Sequence, residues 1–135
     1  MLADREPPDS LDAPGRQMWE RMTAHAWWLA AVDVFMLELA CSMWDDCCSY
    51  RDQIVTDGLL IAEPVFSARG VELGAKQVVH PLLHELRSVE KALLAITERM
   101  GFSPAARAKL GVGEVAQEDQ LSDLIARRNL RLEQL

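Results

Sequence analysis

The chain has 135 residues, of which half are hydrophobic, so it can build one compact domain but has little apolar material for a second. Its net charge of -7 argues against a broad basic surface for nucleic acid. Residues 1–58 carry 4 basic and 11 acidic side chains and residues 59–135 carry 10 of each, so any contact with a polyanion is expected in the second half.

The N-terminal residues have almost nothing to bury. They are charged and contain Pro7 and Pro8, which predicts a flexible arm over residues 1–10 with folding from Leu11 onward. Acidic residues and prolines stand where a secretory peptide would have a basic start and an apolar stretch, so we expect a cytoplasmic protein. The most apolar segment, residues 22–32, is too short to span a bilayer, and no membrane association is expected.

A first short helix is expected to end near Thr23. Either Ser10 or Asp12 would cap it, and Pro14 suits its first turn. Its apolar side would hold Leu11, Met18, Trp19 and Met22.

A second, much longer helix is predicted from about Ala30 to Asp57, with Gly58 as its terminator. One side of its helical wheel is apolar, and the opposite side carries Glu38, Ser42, Asp45, Ser49 and Asp52. Phe35 and Leu39 lie outside the apolar stripe, so they pack either on a neighbouring subunit or on the first helix. Arg51 projects from the apolar side and should have an acidic partner or lie at an interface.

The sequence does not predict a metal site or another cofactor. Cys41, Cys47 and Cys48 lie in an apolar helical segment and are interpreted as buried free thiols. His80 and His84 are four residues apart and could share a helix face, but nothing resembling a third ligand is near them. The adjacent acids Asp45 and Asp46 point about 100° apart on a helix and are interpreted as part of a solvated acidic face.

Residues 59–80 lose the helical period and contain Pro64, Gly70 and Gly74, which predicts a short β-hairpin or an ordered loop. If strands form, residues 59–61 and 77–79 would be the paired parts. Arg69 and Lys76 would then lie near the exposed end.

A third helix should begin at Pro81 and end at Gly101. Its apolar residues follow alternating steps of four and three, and form a seam of Leu82, Leu86, Val89, Leu93, Ile96 and Met100. The seam is too short for a free-standing coiled coil, so we predict a long antiparallel hairpin with the second helix. The expected fold is therefore mainly α, with the β-hairpin or loop between these helices and a C-terminal helical tail.

After Gly101, Ser103 can cap and Pro104 can open a short helix that carries Arg107 and Lys109. A final amphipathic helix is predicted near the C-terminus, with Leu121, Leu124, Ile125, Leu132 and Leu135 on one face and Arg127, Arg128 and Arg131 clustered along it. Such a tail can dock on a partner.

Catalytic signatures are missing from the sequence, which contains no phosphate-cradling glycine loop, nucleophile elbow, zincin pair or dinucleotide fingerprint. We therefore do not expect an enzyme. The tryptophans accompany apolar helix faces, and we interpret them as core or interface residues rather than as platforms for stacking bases.

Several local phrases, in their order, resemble the P27 family of phage terminase small subunits. The resemblance covers roughly residues 8–110. It begins with PPDSLDAPGRQMWERM and continues with the long helix that starts near Ala31. Asp57-Gly58-Leu59 ends that helix, and His80-Pro81-Leu82 begins the next one. MGFSPAARAKL, residues 100–110, is its most specific part, because a glycine stop, a capped proline start and an arginine soon after recur together in that family.

The resemblance implies a non-catalytic helical protein that forms a homo-oligomeric ring in the host cytoplasm, binds double-stranded phage DNA and passes it to the terminase large subunit. Residues 11–110 would form the oligomerisation and DNA-recognition domain, and residues 111–135 a tail that binds a partner. The candidate DNA contacts are Arg87, Lys91, Arg107, Lys109, Arg69 and Lys76, and the candidate partner contacts are Arg127, Arg128 and Arg131.

Two alternatives remain open at the level of the sequence. The candidate DNA contacts can equally be ordinary solvated charges, since surface charges are common. The whole chain can be a helical interaction or regulatory protein that does not bind DNA, for which an acidic first half would be unremarkable. Salt-dependent DNA binding distinguishes these functions.

Overall fold

The computed structural model describes the backbone of residues 2–133 and the side chains of residues 2–111 and 121–132. The described residues are mainly helical with a small two-stranded antiparallel sheet, which confirms the predicted mainly α class and the β-hairpin. The backbone divides into two units, one ending at Ile96 and the other beginning at Thr97. Among the described residues, no helix combines the length and apolarity that crossing a bilayer requires.

The core of the first unit comes largely from two helices, α1 (Ala13–His25) and α2 (Val34–Asp57), which pack against each other. Both were predicted, but α1 ends two residues later than expected and a 3-10 turn over Ala31–Asp33 precedes α2. The buried side chains include Leu11, Trp19, Leu37, Ala40, Cys41 and Cys47. The positive φ of Gly58, 87°, ends α2 as predicted, and its N–H donates to the Ile54 carbonyl.

Asp45 contradicts the predicted solvated face of α2, because it is buried. Its Oδ1 accepts from the Gly15 backbone N–H at 2.6 Å and its Oδ2 from the Asp12 N–H at 2.9 Å. Asp12 occupies the N-cap position of α1 but makes no side-chain capping bond. A residue of α2 therefore caps α1, since the unpaired N–H groups and positive dipole end of a helix can be satisfied by a carboxylate from a neighbouring helix. Asp46 is exposed, as predicted.

The N-terminal segment contacts α1. Leu2–Asp4 form a 3-10 turn and Leu2 is buried. The indole Nε1–H of Trp19 donates to the Arg5 carbonyl at 3.1 Å.

The predicted hairpin is present and is longer than its expected paired parts. Strand β1 (Leu60–Phe66) pairs with β2 (Glu72–Val79), with Leu60 opposite Val79 and Glu63 opposite Lys76. Arg69 lies between the strands, as expected. Lys76 does not lie near the end, because the ladder continues beyond it to Phe66 and Glu72.

Helix α3 (Pro81–Arg99) follows the hairpin, and its apolar seam has the predicted register. Leu86 and Met100 are buried and Leu82, Val89, Leu93 and Ile96 are half-buried, whereas Arg87, Lys91 and Leu94 are exposed. The antiparallel arrangement of α2 and α3 stays a prediction.

The second unit begins within the last turn of α3 and continues with α4 (Pro104–Lys109) and α5 (Val112–Glu133). Ser103 Oγ accepts from the Ala106 N–H at 3.1 Å, which confirms the predicted cap of α4. Leu121, Leu124, Ile125 and Leu132 of α5 are exposed, and Leu135 lies outside the described residues.

Candidate functional site

Glu90 of α3 joins two arginines from different helices. Its Oε1 accepts from Arg51 Nη2 at 2.8 Å and its Oε2 from Arg87 Nη1 at 2.9 Å. The guanidinium of Arg51 also lies over the ring of Trp44, with Cζ 5.5 Å from the ring centroid. Of the two expectations for Arg51, an acidic partner or a position at an interface, the structure shows the first, with Glu90 as the partner.

These contacts keep Glu90 ionised near neutral pH. The hydrogen bond from Arg51 and then that from Arg87 hold the pKa of the Glu90 carboxyl below its usual value. The same bond raises the pKa of Arg51. Lys91, exposed one helical turn after Arg87, adds a third positive charge on the same side of α3 as Arg87. We call the group formed by Arg51 of α2 and Arg87, Glu90 and Lys91 of α3 the α3 basic cluster. Its three positive charges exceed its one negative charge, on a unit that is otherwise acidic.

The two cations of the hairpin differ in their surroundings. Arg69 is exposed between the strands. Lys76 Nζ lies 3.7 Å from Glu63 Oε2 across the ladder, so its charge is largely balanced locally. Of these two, Arg69 is the better placed to attract an anion.

The basic residues of the second unit lie on two helices. Arg107 of α4 is half-buried, and its Nη1 donates to the Gly101 carbonyl at 3.1 Å. This bond stabilises the turn between α3 and α4. Lys109 is exposed. On α5, an open groove with a volume of about 350 Å³ is lined by Leu124, Arg127, Arg128, Arg131 and Leu132. That groove combines apolar and cationic side chains on one helix.

His80 has a structural environment rather than that of a metal ligand. It is buried, with Nε2 2.8 Å from Asp57 Oδ2, and its Nδ1 accepts from the Leu82 N–H at 3.1 Å in the first turn of α3. Hydrogen bonds from Gln53 and then His80 lower the pKa of Asp57. His84 is exposed, and the part of the chain open to description contains no cluster of three potential metal ligands.

Sequence reasoning placed Arg87 and Lys91 together but did not include Arg51 in the candidate site. The spacing of Arg87 and Glu90, three residues apart on a helix, was a signal for their pairing. No local signal linked Arg51 to Glu90, because 39 residues separate them.

Comparison with known proteins supports the resemblance at the level of phage terminase small subunits. The family model described as phage terminase, small subunit, matches residues 15–117. No curated protein and no solved structure gives a significant match. The matched region includes α1 from Gly15 onward, α2, the hairpin, α3 and α4, and thus most of the chain. This chain therefore belongs to the phage terminase small subunit family.

Proposed function

We propose that this protein is a non-catalytic adaptor of phage genome packaging that forms a homo-oligomeric ring, binds double-stranded viral DNA and delivers it to the terminase large subunit. The observation that best supports this proposal is the family match over residues 15–117. ATP hydrolysis and DNA cleavage would belong to the large subunit, and the adaptor would act in the host cytoplasm. The phrase MGFSPAARAKL favours the P27 group within the family.

DNA would be held mainly through its phosphates. The α3 basic cluster supports this proposal, because Arg87 and Lys91 are exposed and Glu90 neutralises only part of the local positive charge. Arg69 offers a further exposed cation, while Lys76, Arg107 and Lys109 remain secondary candidates. Cations on each subunit of a ring would add their contacts along the duplex, and each phosphate contact makes binding more sensitive to salt.

Residues 11–110 would supply self-association and DNA recognition. We also interpret α2 and α3 as the arms of an antiparallel helical pair, which the ion pair of Arg51 with Glu90 and the contact of Asp57 with His80 support.

The tail, residues 111–135, would serve the large subunit. The α5 groove favours a partner segment that is both apolar and acidic, since leucines alternate there with Arg127, Arg128 and Arg131.

A protein-binding regulator without DNA binding is the second candidate. It is favoured by the net charge of -7 and by the ion pairs that engage Arg87 and Lys76. In that case the basic side chains would only balance nearby carboxylates.

Measuring mass in solution with and without DNA tests both candidates. Light scattering at micromolar protein should give a single oligomer, and a duplex containing the packaging-initiation region should bind with an affinity that falls as salt rises. An oligomer that does not bind DNA even at low salt would support the protein-binding regulator. A monomer that also ignores DNA would reject the adaptor.

A further inference from the structure

An uncovered apolar surface lies where α1 connects to α2. Trp27, Val32, Phe35 and Leu39, here called the corner patch, are 66%, 83%, 74% and 43% exposed. Val32, Phe35 and Leu39 follow the spacing of one helix face. Phe35 is thus largely uncovered and Leu39 is covered only in part, so packing on α1, one of the two alternatives that the sequence left open, does not bury them.

The hairpin is the second uncovered apolar surface of the first unit. Leu60, Phe66, Leu73 and Val79, here called the hairpin surface, are 53%, 58%, 69% and 54% exposed. Three cross-strand pairs, Leu60 with Val79, Ala62 with Gln77 and Pro64 with Ala75, form an uncharged face whose members are all exposed. A two-stranded hairpin is at best marginally stable alone in water, so this face gains from being covered.

Face-to-face packing suits the hairpin better than addition of a strand at its edge. Pro64 lacks an N–H and interrupts the donors of β1, and the ladder has an irregularity between Val65 and Phe66. Addition of a strand is therefore disfavoured at the β1 edge, and we expect a partner to lie on the exposed face.

The charges near the corner patch and the hairpin surface indicate which of them can pack together when two identical copies meet. Residues 26–39, which contain the corner patch, carry Asp33 and Glu38 but no lysine or arginine. Two corner patches in contact would therefore bring like charges together. Residues 59–80 carry two acidic and two basic side chains, and Arg69 is exposed among them, so the hairpin is the more compatible partner for the corner patch.

We propose that the corner patch of one copy packs against the hairpin surface of the next copy, an inference that rests on the self-association in the proposed function. A closed ring of more than two copies requires two different, complementary surfaces on each copy, and the first unit presents two. Trp27 and Phe35 would be the main anchors, because a covered aromatic ring buries about 150–250 Å².

Two single substitutions and their mixture test this contact. Phe35→Glu damages only the corner patch and Leu73→Glu only the hairpin surface, so each variant alone should be monomeric by light scattering at micromolar concentration. A one-to-one mixture should form a dimer, since each variant supplies the surface that the other has lost. Ser49→Glu, which adds the same charge at an exposed position of α2, should retain the wild-type mass. Circular dichroism establishes that the helices of each variant are intact.

Other outcomes overturn the inference. If only one variant loses the oligomer, or if the mixture stays monomeric, the two surfaces do not meet each other. If both variants keep the wild-type mass, neither surface is an interface, although the adaptor role stands. A monomeric wild type rejects self-association itself, and DNA binding by that monomer would still support the rest of the proposed function.

Thiol labelling provides a test that does not depend on the charged variants. Phe35→Cys, Leu73→Cys and the control Ser49→Cys would each be made in a Cys48→Ser background. That background removes the half-buried native thiol, and the other two native thiols, Cys41 and Cys47, are buried. A maleimide should react with the first two more slowly in concentrated than in dilute protein, whereas the control should react equally in both. Equal rates at positions 35 and 73 in an oligomeric sample would contradict the contact.

Discussion

The Asp45 carboxylate of α2 accepts a hydrogen bond from the Gly15 backbone N–H at 2.6 Å, in the first turn of α1. A Cβ at position 15 would overlap that carboxylate, so the close approach depends on glycine. Asp45 also accepts from the Asp12 N–H and lies at the positive end of the α1 dipole. One side chain therefore caps α1 and joins the two core helices of the first unit.

Asp45→Ala should lower the free energy of unfolding by about 2–3 kcal/mol, because it leaves two backbone N–H groups without their acceptor. Asp45→Asn should cost less, since the amide oxygen can still accept, and Gly15→Ala should also be destabilising. Urea denaturation measures each change. Asp46→Ala is the matched control at an exposed position and should stay within about 0.5 kcal/mol of the wild type. An effect of Asp46→Ala equal to that of Asp45→Ala would show that the cap is unimportant.

Leu86→Ala should cost about 2–5 kcal/mol, because Leu86 is the buried member of the α3 seam within the first unit and its removal leaves a cavity. Leu94→Ala, on the exposed side of the same helix, should change stability little. Comparing their unfolding midpoints checks the register of α3, which would be wrong if Leu94 proved the more costly.

The ion pairs of Glu90 should make stability depend on pH. Since the folded pKa of Glu90 lies below its ordinary value of 4.5, its contribution is complete above pH 4.5 and is lost as the pH falls through the lower, folded value. The stability difference between the wild type and Glu90→Gln should thus be constant near neutrality and shrink in acid. Thermal unfolding from pH 7 to pH 3 measures it. A difference that grew on acidification would refute the assigned pairing.

Cys41 should resist modification in the folded protein. Burial, followed by the nearby charge of Asp45, raises the pKa of its thiol to about 12, so almost no thiolate forms at pH 8. Cys48 is only half-buried, which corrects the interpretation of all three cysteines as buried, and it should react with a maleimide first. Peptide mass spectrometry would give the order, and unfolding in urea should abolish the difference.

Arg87→Gln combined with Lys91→Gln should weaken binding to phage and unrelated duplexes alike, because phosphate contacts carry no base specificity. Each lost phosphate contact should reduce the slope of log affinity against log salt by about 1. Glutamine avoids placing a new carboxylate beside Glu90. The control pair Arg127→Gln and Arg128→Gln should spare DNA binding and impair association with the large subunit. The opposite pattern would reverse the assignment of the two basic groups.

Local rules acting over a few residues determined much of this fold. Pro81 and Pro104 open helices, Gly58 ends one, and Ser103 caps another, as the sequence predicts. The spacing of the α3 seam predicted which side of that helix is protected, because helical periodicity alone decides which residues share a face.

Tertiary structure decided what local rules cannot reach. Asp45 belongs to the polar side of its own helix, yet it is buried because α1 brings unpaired N–H groups to it from 30 residues away. The partner of Arg51 is likewise 39 residues distant, so only packing could select Glu90. Whether Phe35 packs on α1 or stays uncovered depends on where α1 lies, and the wheel of α2 does not contain that information.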